Sequence, residues 1–149
     1  MNRLHRTFSI ALVIGVYACA RVKCDPVTAT CAESAAKVVS VGDEFVLAPG
    51  QRVTISDSDL SLEFERVTSD SRCPKDVQCV WAGNAAIRLK VVEQMSEPRL
   101  VELDTYGDRQ KAQLGMFELQ VVALTPDPVS TERIEPRQYR LTLRLTELP

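Results

Sequence analysis

Histidine is nearly missing from this chain: its 149 residues include one, His5, close to the start. Aromatic residues make up only 5%, with a single tryptophan, Trp81. The glycines are scattered, so no glycine-rich phosphate loop can be assembled from Gly42, Gly50, Gly83, Gly107 or Gly115, and nucleotide binding has no support. No apolar run approaches the roughly 20 residues of a membrane-spanning helix, and no stretch of about ten residues carries a helical apolar period. A length of 149 residues suffices for one domain with a real core and is short for two.

What is present begins with the leader. In MNRLHRTFSIALVIGVYACA, Arg3, His5 and Arg6 precede an uncharged apolar run from Phe8 to Ala18, followed by small residues. That order predicts a secretory signal peptide over residues 1–18, removed on export. Two cleavage readings stand. Val16-Tyr17-Ala18-Cys19 resembles the bacterial lipobox, with Cys19 lipidated as the first mature residue, although Tyr17 is unusual there. Ala18-Cys19-Ala20 also fits ordinary signal peptidase. Ala20, rather than Asp, after a lipidated Cys19 favours the outer membrane of a Gram-negative cell. The expected location is an outer-membrane lipoprotein or a periplasmic protein, with free secretion the weaker alternative.

Removal of the leader takes His5 with it. A Ser-His-Asp triad, a Cys-His pair, an HExxH zinc site and a cupin-type metal site are then excluded by composition. It also takes Arg3 and Arg6 and no acid, leaving 16 basic against 20 acidic residues, a charge of −4. A mildly acidic body without a basic run argues against nucleic acid or an anionic membrane surface as partner, so membrane contact would come through a lipid alone.

Cys24, Cys31, Cys73 and Cys79 remain, an even number in an exported chain, which predicts two disulfides. Three connectivities are possible, and the local pairs Cys24–Cys31 and Cys73–Cys79 close the shortest loops. Residues 19–40 read as a tether carrying the first pair, with an edge strand at its end near Lys37 to Val41.

From there to residue 149 the dominant signal has period two, predicting a single all-β domain. Leu60, Leu62 and Phe64 alternate with polar residues, as do Ala85, Ile87, Leu89 and Val91. Phe117, Leu119, Val121 and Ala123 share a face, and so do Tyr139, Leu141, Leu143 and Leu145. Shorter candidates are Glu44 to Leu47, Arg52 to Ile55 and Leu100 to Leu103. Turn residues separate them, including Pro49-Gly50, Gly83-Asn84 and the proline cluster after Thr125. An antiparallel β-sandwich or a closed barrel of about seven or eight short strands would bury these faces. The segment from Thr125 to Arg137 is the longest loop expected.

Candidate chemistry is sparse. SAAK, Ser34 to Lys37, matches an SxxK motif but lacks its companion elements. Asp57 and Asp59 in SDSDLS have turn composition and lack EF-hand spacing. Arg133, Arg137, Arg140 and Arg144 concentrate positive charge beside Glu135 and Glu147, which predicts a solvated face. No metal or cofactor is expected.

The densest stretch is SDSRCPKDVQCVWAGN, Ser69 to Asn84. Pro74 followed by Lys75 and Asp76 suits a tight turn that joins Cys73 to Cys79. Metal chemistry lacks further ligands there, and the spacing is not the CxxC of a redox pair. Trp81, two residues beyond Cys79, points to the same side as that sulfur if extended. It either packs over the disulfide at the core rim or stands exposed as an anchor for a partner or sugar. Arg72, Pro74, Lys75 and Trp81 are the candidate partner-binding residues.

DSRCPKDVQCVWAGNAAIRL, Asp70 to Leu89, preceded by LSLEFERV and PGQRVTI, resembles a widespread group of small bacterial exported proteins and lipoproteins of uncharacterised function. Their recurring pattern is Asp-Ser-Arg-Cys-Pro, a Val, a Cys and then Trp-Ala-Gly. The resemblance covers roughly residues 42 to 92 and implies export, a lipid anchor and a β-rich fold, with no catalytic residues. Taken together, the sequence predicts a non-enzymatic envelope protein that binds a protein or glycan partner. The alternative is a protease inhibitor presenting the Cys73–Cys79 loop with Lys75 exposed to a trypsin-like pocket. An enzyme built on carboxylates such as Asp57, Asp59, Asp70 or Asp76 is the third reading.

Overall fold

The structure is a computed structural model that describes residues 37–93 and 96–149. These fall within one compact unit, Ser34–Pro149. The leader, Cys19, the Cys24–Cys31 pair and the serine of SAAK lie outside the described residues.

Nine strands are found among the described residues: β1 (Lys37–Val39), β2 (Glu44–Leu47), β3 (Arg52–Ile55), β4 (Leu60–Asp70), β5 (Ala85–Glu93), β6 (Arg99–Asp104), β7 (Lys111–Leu114), β8 (Phe117–Thr125) and β9 (Arg140–Glu147). They form two sheets, ordered β1-β3-β4-β5-β6 and β2-β9-β8-β7. Of the two architectures expected, the two-sheet form is realised and the closed barrel is not. All strand pairs are antiparallel except β1 with β3, which is parallel because the chain enters the first sheet at its edge and crosses to the second before returning. β1 falls within the edge strand expected near Lys37 to Val41 and stands at the edge of the first sheet.

The two sheets share one core because period-two alternation puts the apolar side chains of each on one face. β4 alternates from Leu60 to Phe64, and β5 buries Ala85, Ile87, Leu89 and Val91. From the second sheet, Leu119, Val121, Leu141, Leu143 and Leu145 meet them. At about 25 cal/mol per Å² of apolar surface, burial of these side chains is the main favourable contribution to folding. The outer faces carry cross-strand ion pairs such as Arg52–Glu63 and Arg88–Glu102, both 2.7 Å, which are exposed and contribute little.

Two expectations about strands need correction. Ala123 does not share the inner face: a bulge between Val121 and Ala123 adds one residue, so Val121 and Leu124 are both buried and Ala123 is turned out. β7 was not expected at all. KAQL offers one buried residue, Leu114, and its strand character comes from pairing with β8 across a turn at Gly115 and Met116.

Candidate functional site

The long strand β4 and its partner β5 end in a loop, Ser71 to Asn84, whose base is tied almost residue by residue. The Ser71 N–H donates to the Asn84 carbonyl at 2.7 Å, and the Ser71 hydroxyl donates to the same oxygen at 2.9 Å. The Cys73 N–H reaches the Ala82 carbonyl at 2.9 Å. These bonds bring the two arms so close that Gly83 has no room for a side chain: at φ +70° its Cβ would stand 1.9 Å from the Ser71 carbonyl oxygen. The Asn84 carboxamide oxygen accepts from the Thr105 hydroxyl and the Tyr106 N–H, both 3.1 Å, fixing the loop base to the end of β6. Cys73 and Cys79 form the expected disulfide, with Cα atoms 5.9 Å apart, and the Val77 N–H closes a turn on the Pro74 carbonyl at 3.2 Å.

The closed loop leans on the long connection between β8 and β9. The Lys75 N–H donates to the Pro128 carbonyl at 3.0 Å, and the Asp76 carboxylate accepts the Ser130 N–H at 2.9 Å together with its hydroxyl. The Ser130 hydroxyl and N–H hold the Asp76 carboxyl below its ordinary range. The connection itself is shaped by a cis Thr125–Pro126 bond, a bridge between Val129 and Glu132 and a 3-10 turn at Pro136–Gln138.

Arg72 departs from its expected role. Its side chain is only 12% exposed and folds under the loop. Nε and Nη2 donate to the two Asp70 oxygens at 2.9 and 2.7 Å, Nη2 also reaches the Pro126 carbonyl at 3.0 Å, and Nη1 donates to the Leu124 carbonyl. The Tyr139 hydroxyl donates to Asp70 at 3.1 Å. Burial pushes the Asp70 carboxyl up, but the Arg72 hydrogen bonds and charge, with the Tyr139 hydroxyl, outweigh it and leave the group below its ordinary range. Burial, then the Asp70 charge, pushes the Tyr139 hydroxyl up. Arg72 therefore joins β4, the disulfide loop and the end of β8. A planar fork that serves a carboxylate and two carbonyls at once is a geometry lysine lacks.

Trp81 takes the exposed alternative. It is 82% exposed, beside Val80 at 88% and Val77 at 46%. It does not pack over the disulfide, and Cys79 is itself exposed. Pro74 is half-buried and Lys75 exposed, but Lys75 lies in a turn with its N–H committed to Pro128. That is unlike the extended segment a protease cleft reads. Val77 and Val80 were not singled out in sequence. Their signal is negative: two valines beside the tryptophan in a stretch where no strand alternation assigns them to a core.

Beside this loop lies a groove of about 390 Å³ between β4, at Val67 and Asp70, and the wall of Pro128, Ile134 and Tyr139. The other candidates do not converge. Asp57 sits in a turn at φ +56°, and no cluster of three or more metal-ligating side chains occurs among the described residues. Arg140 and Arg144 share the outward face of β9 as expected. Arg144 pairs with Glu44, and Arg140 donates to the carbonyls of Arg137 and Tyr139 at 2.9 and 2.7 Å.

No family model, curated protein or solved structure matches this chain.

Proposed function

We propose that this protein is a non-enzymatic, exported β-domain protein of the cell envelope, held at the membrane by lipid on Cys19, that binds a protein or glycan partner through the exposed Val80–Trp81 segment beside the Cys73–Cys79 disulfide. The observation that carries this reading is an apolar patch held in water by a fixed loop: Trp81 and Val80 are more than four-fifths exposed, while the disulfide on one side and the Ser71–Asn84 bonds and Gly83 on the other hold the arm that carries them. A pre-organised aromatic anchor loses little conformational entropy on binding, and buried Trp side chains are among the largest contributors to interface affinity. Export and anchoring are supported by the leader and by the resemblance of the Asp70 to Leu89 motif. Against enzymatic chemistry, the Asp70 and Asp76 carboxylates are already engaged by Arg72, Tyr139 and Ser130.

The test is photo-cross-linking from position 80 in intact envelopes of the source cell. A discrete cross-linked partner that disappears in a Trp81→Ala background is expected. Inhibition of trypsin-like proteases at micromolar protein, lost in Lys75→Ala, would carry the inhibitor reading instead.

A further inference from the structure

The first sheet leaves part of its longest strand without a neighbour on one side. β3 pairs with β4 only from Ser61 to Glu63, with Gly50 and Gln51 adding bonds to Phe64. Beyond that point, among the described residues, no strand lies against β4 on the side away from β5. The Phe64 N–H and C=O both face this side, donating to Gln51 and accepting from Gly50. In an antiparallel pair such outward groups recur at alternate residues. Two bulges, between Phe64 and Arg66 and between Val67 and Ser69, each insert one residue and so move the outward positions to Val67 and Asp70. The phase is checked at the strand end, where the Ser71 N–H donates to Asn84 on the β5 side, leaving Asp70 turned away.

The 390 Å³ groove runs beside this edge. All four consecutive residues from Val67 to Asp70 line it, whereas a sheet face would present only every second one. The opposite wall is Pro128, Ile134 and Tyr139. The groove ends against the disulfide loop, because Pro128 is also the acceptor for the Lys75 N–H.

We propose that the open edge of β4 binds an extended polypeptide segment of the partner by strand addition, with main-chain bonds to Val67 and Asp70 and its backbone between β4 and Ile134. This names the partner class for the surface described above and rests on that reading. A peptide is the occupant because alternating N–H and C=O groups are complemented by another backbone at strand spacing, about 4.8 Å away, and not by the hydroxyls of a sugar. A second copy of β4 would bring its own sheet behind it, where the Pro128–Tyr139 wall stands. Unprotected strand edges are normally blunted, and this one is screened by the Pro128–Tyr139 wall.

The experiment selects random peptides displayed on phage against the folded, oxidised protein, then remakes the enriched sequences with each backbone amide methylated in turn. Strand addition predicts that methylating every second amide over the bound stretch weakens affinity about tenfold, the loss of one well-formed hydrogen bond, while the amides between tolerate it. It also predicts that hydrogen exchange at the Val67 and Asp70 amides slows about a hundredfold at peptide concentrations a hundred times Kd. Absence of enriched peptides, indifference to the methylation pattern, or unchanged exchange at Val67 overturns it. If position 80 still cross-links a partner while Val67 and Asp70 exchange freely in that complex, strand addition is wrong and the Val80–Trp81 reading stands. If position 80 cross-links nothing, both fall.

Discussion

Arg72 and Trp81 sit nine positions apart and exchange the roles that residue type suggests: the cation is tucked under the loop and the large aromatic is in water. Both can be checked in solution. Because Trp81 is the only tryptophan, intrinsic fluorescence reports on it alone. The native protein should show the red-shifted, readily quenched emission of an exposed indole, and urea unfolding should change it little. Blue-shifted emission that moves red on unfolding would mean a packed ring. Arg72→Ala leaves Asp70 and two carbonyls without their donor in a partly buried site and should cost about 2–4 kcal/mol, measured by urea denaturation. Asp70→Asn tests the same pair through pH. A carboxyl held below its ordinary value of 3.8 contributes stability that is present above that value and lost as the group protonates. The variant should be about 1–3 kcal/mol less stable at neutral pH, and the gap should close as pH falls below the ordinary value. A gap independent of pH would remove Asp70 from the ion pair. None of this was legible from residue type, since Asp70 finds Arg72 two positions on but Tyr139 sixty-nine away.

At the scale of elements, the loop is made by a close approach and a covalent tie. Gly83→Ala must displace the Ser71 carbonyl and hold a left-handed φ, and should cost at least about 2 kcal/mol and broaden the loop's NMR signals. The Cys73–Cys79 ring is small, so chain entropy assigns its removal a cost of only about 2 kcal/mol. Cys73→Ser with Cys79→Ser should fold, melt lower and bind its partner more weakly, because the turn at Pro74 to Val77 loses its closure. The strands themselves were largely readable: β2 and β3 fall on the short stretches expected, β4 and β5 contain their alternating residues, and β9 takes up Leu141, Leu143 and Leu145 but starts one residue after Tyr139. Alternation fails where pairing overrides it. Ala123 is displaced by a bulge, β7 has too few apolar residues to show a period, and β4 runs on to Asp70 because β5 pairs with it there despite the polar tail Thr68-Ser69-Asp70.

For the whole molecule, a two-sheet fold was legible because period-two patterns without helical ones leave few ways to bury apolar faces. The choice of two sheets over a barrel was not, since it depends on which distant strands meet, such as β2 with β9. The site was half legible: composition marked Ser69 to Asn84 as unusual, and only the fold shows that its Val80 and Trp81 face water. The central claim is that Val80 and Trp81 form a docking element and not a plug for the core. The most direct measurement places a photo-cross-linker at position 80 and, as control, at Thr142 on β9, in intact envelopes, each with and without Trp81→Ala. The account predicts one discrete partner from position 80, lost with Trp81→Ala at unchanged folding stability, and none from position 142. Equal cross-linking from both positions, none from position 80, or a Trp81→Ala substitution that unfolds the domain would contradict it.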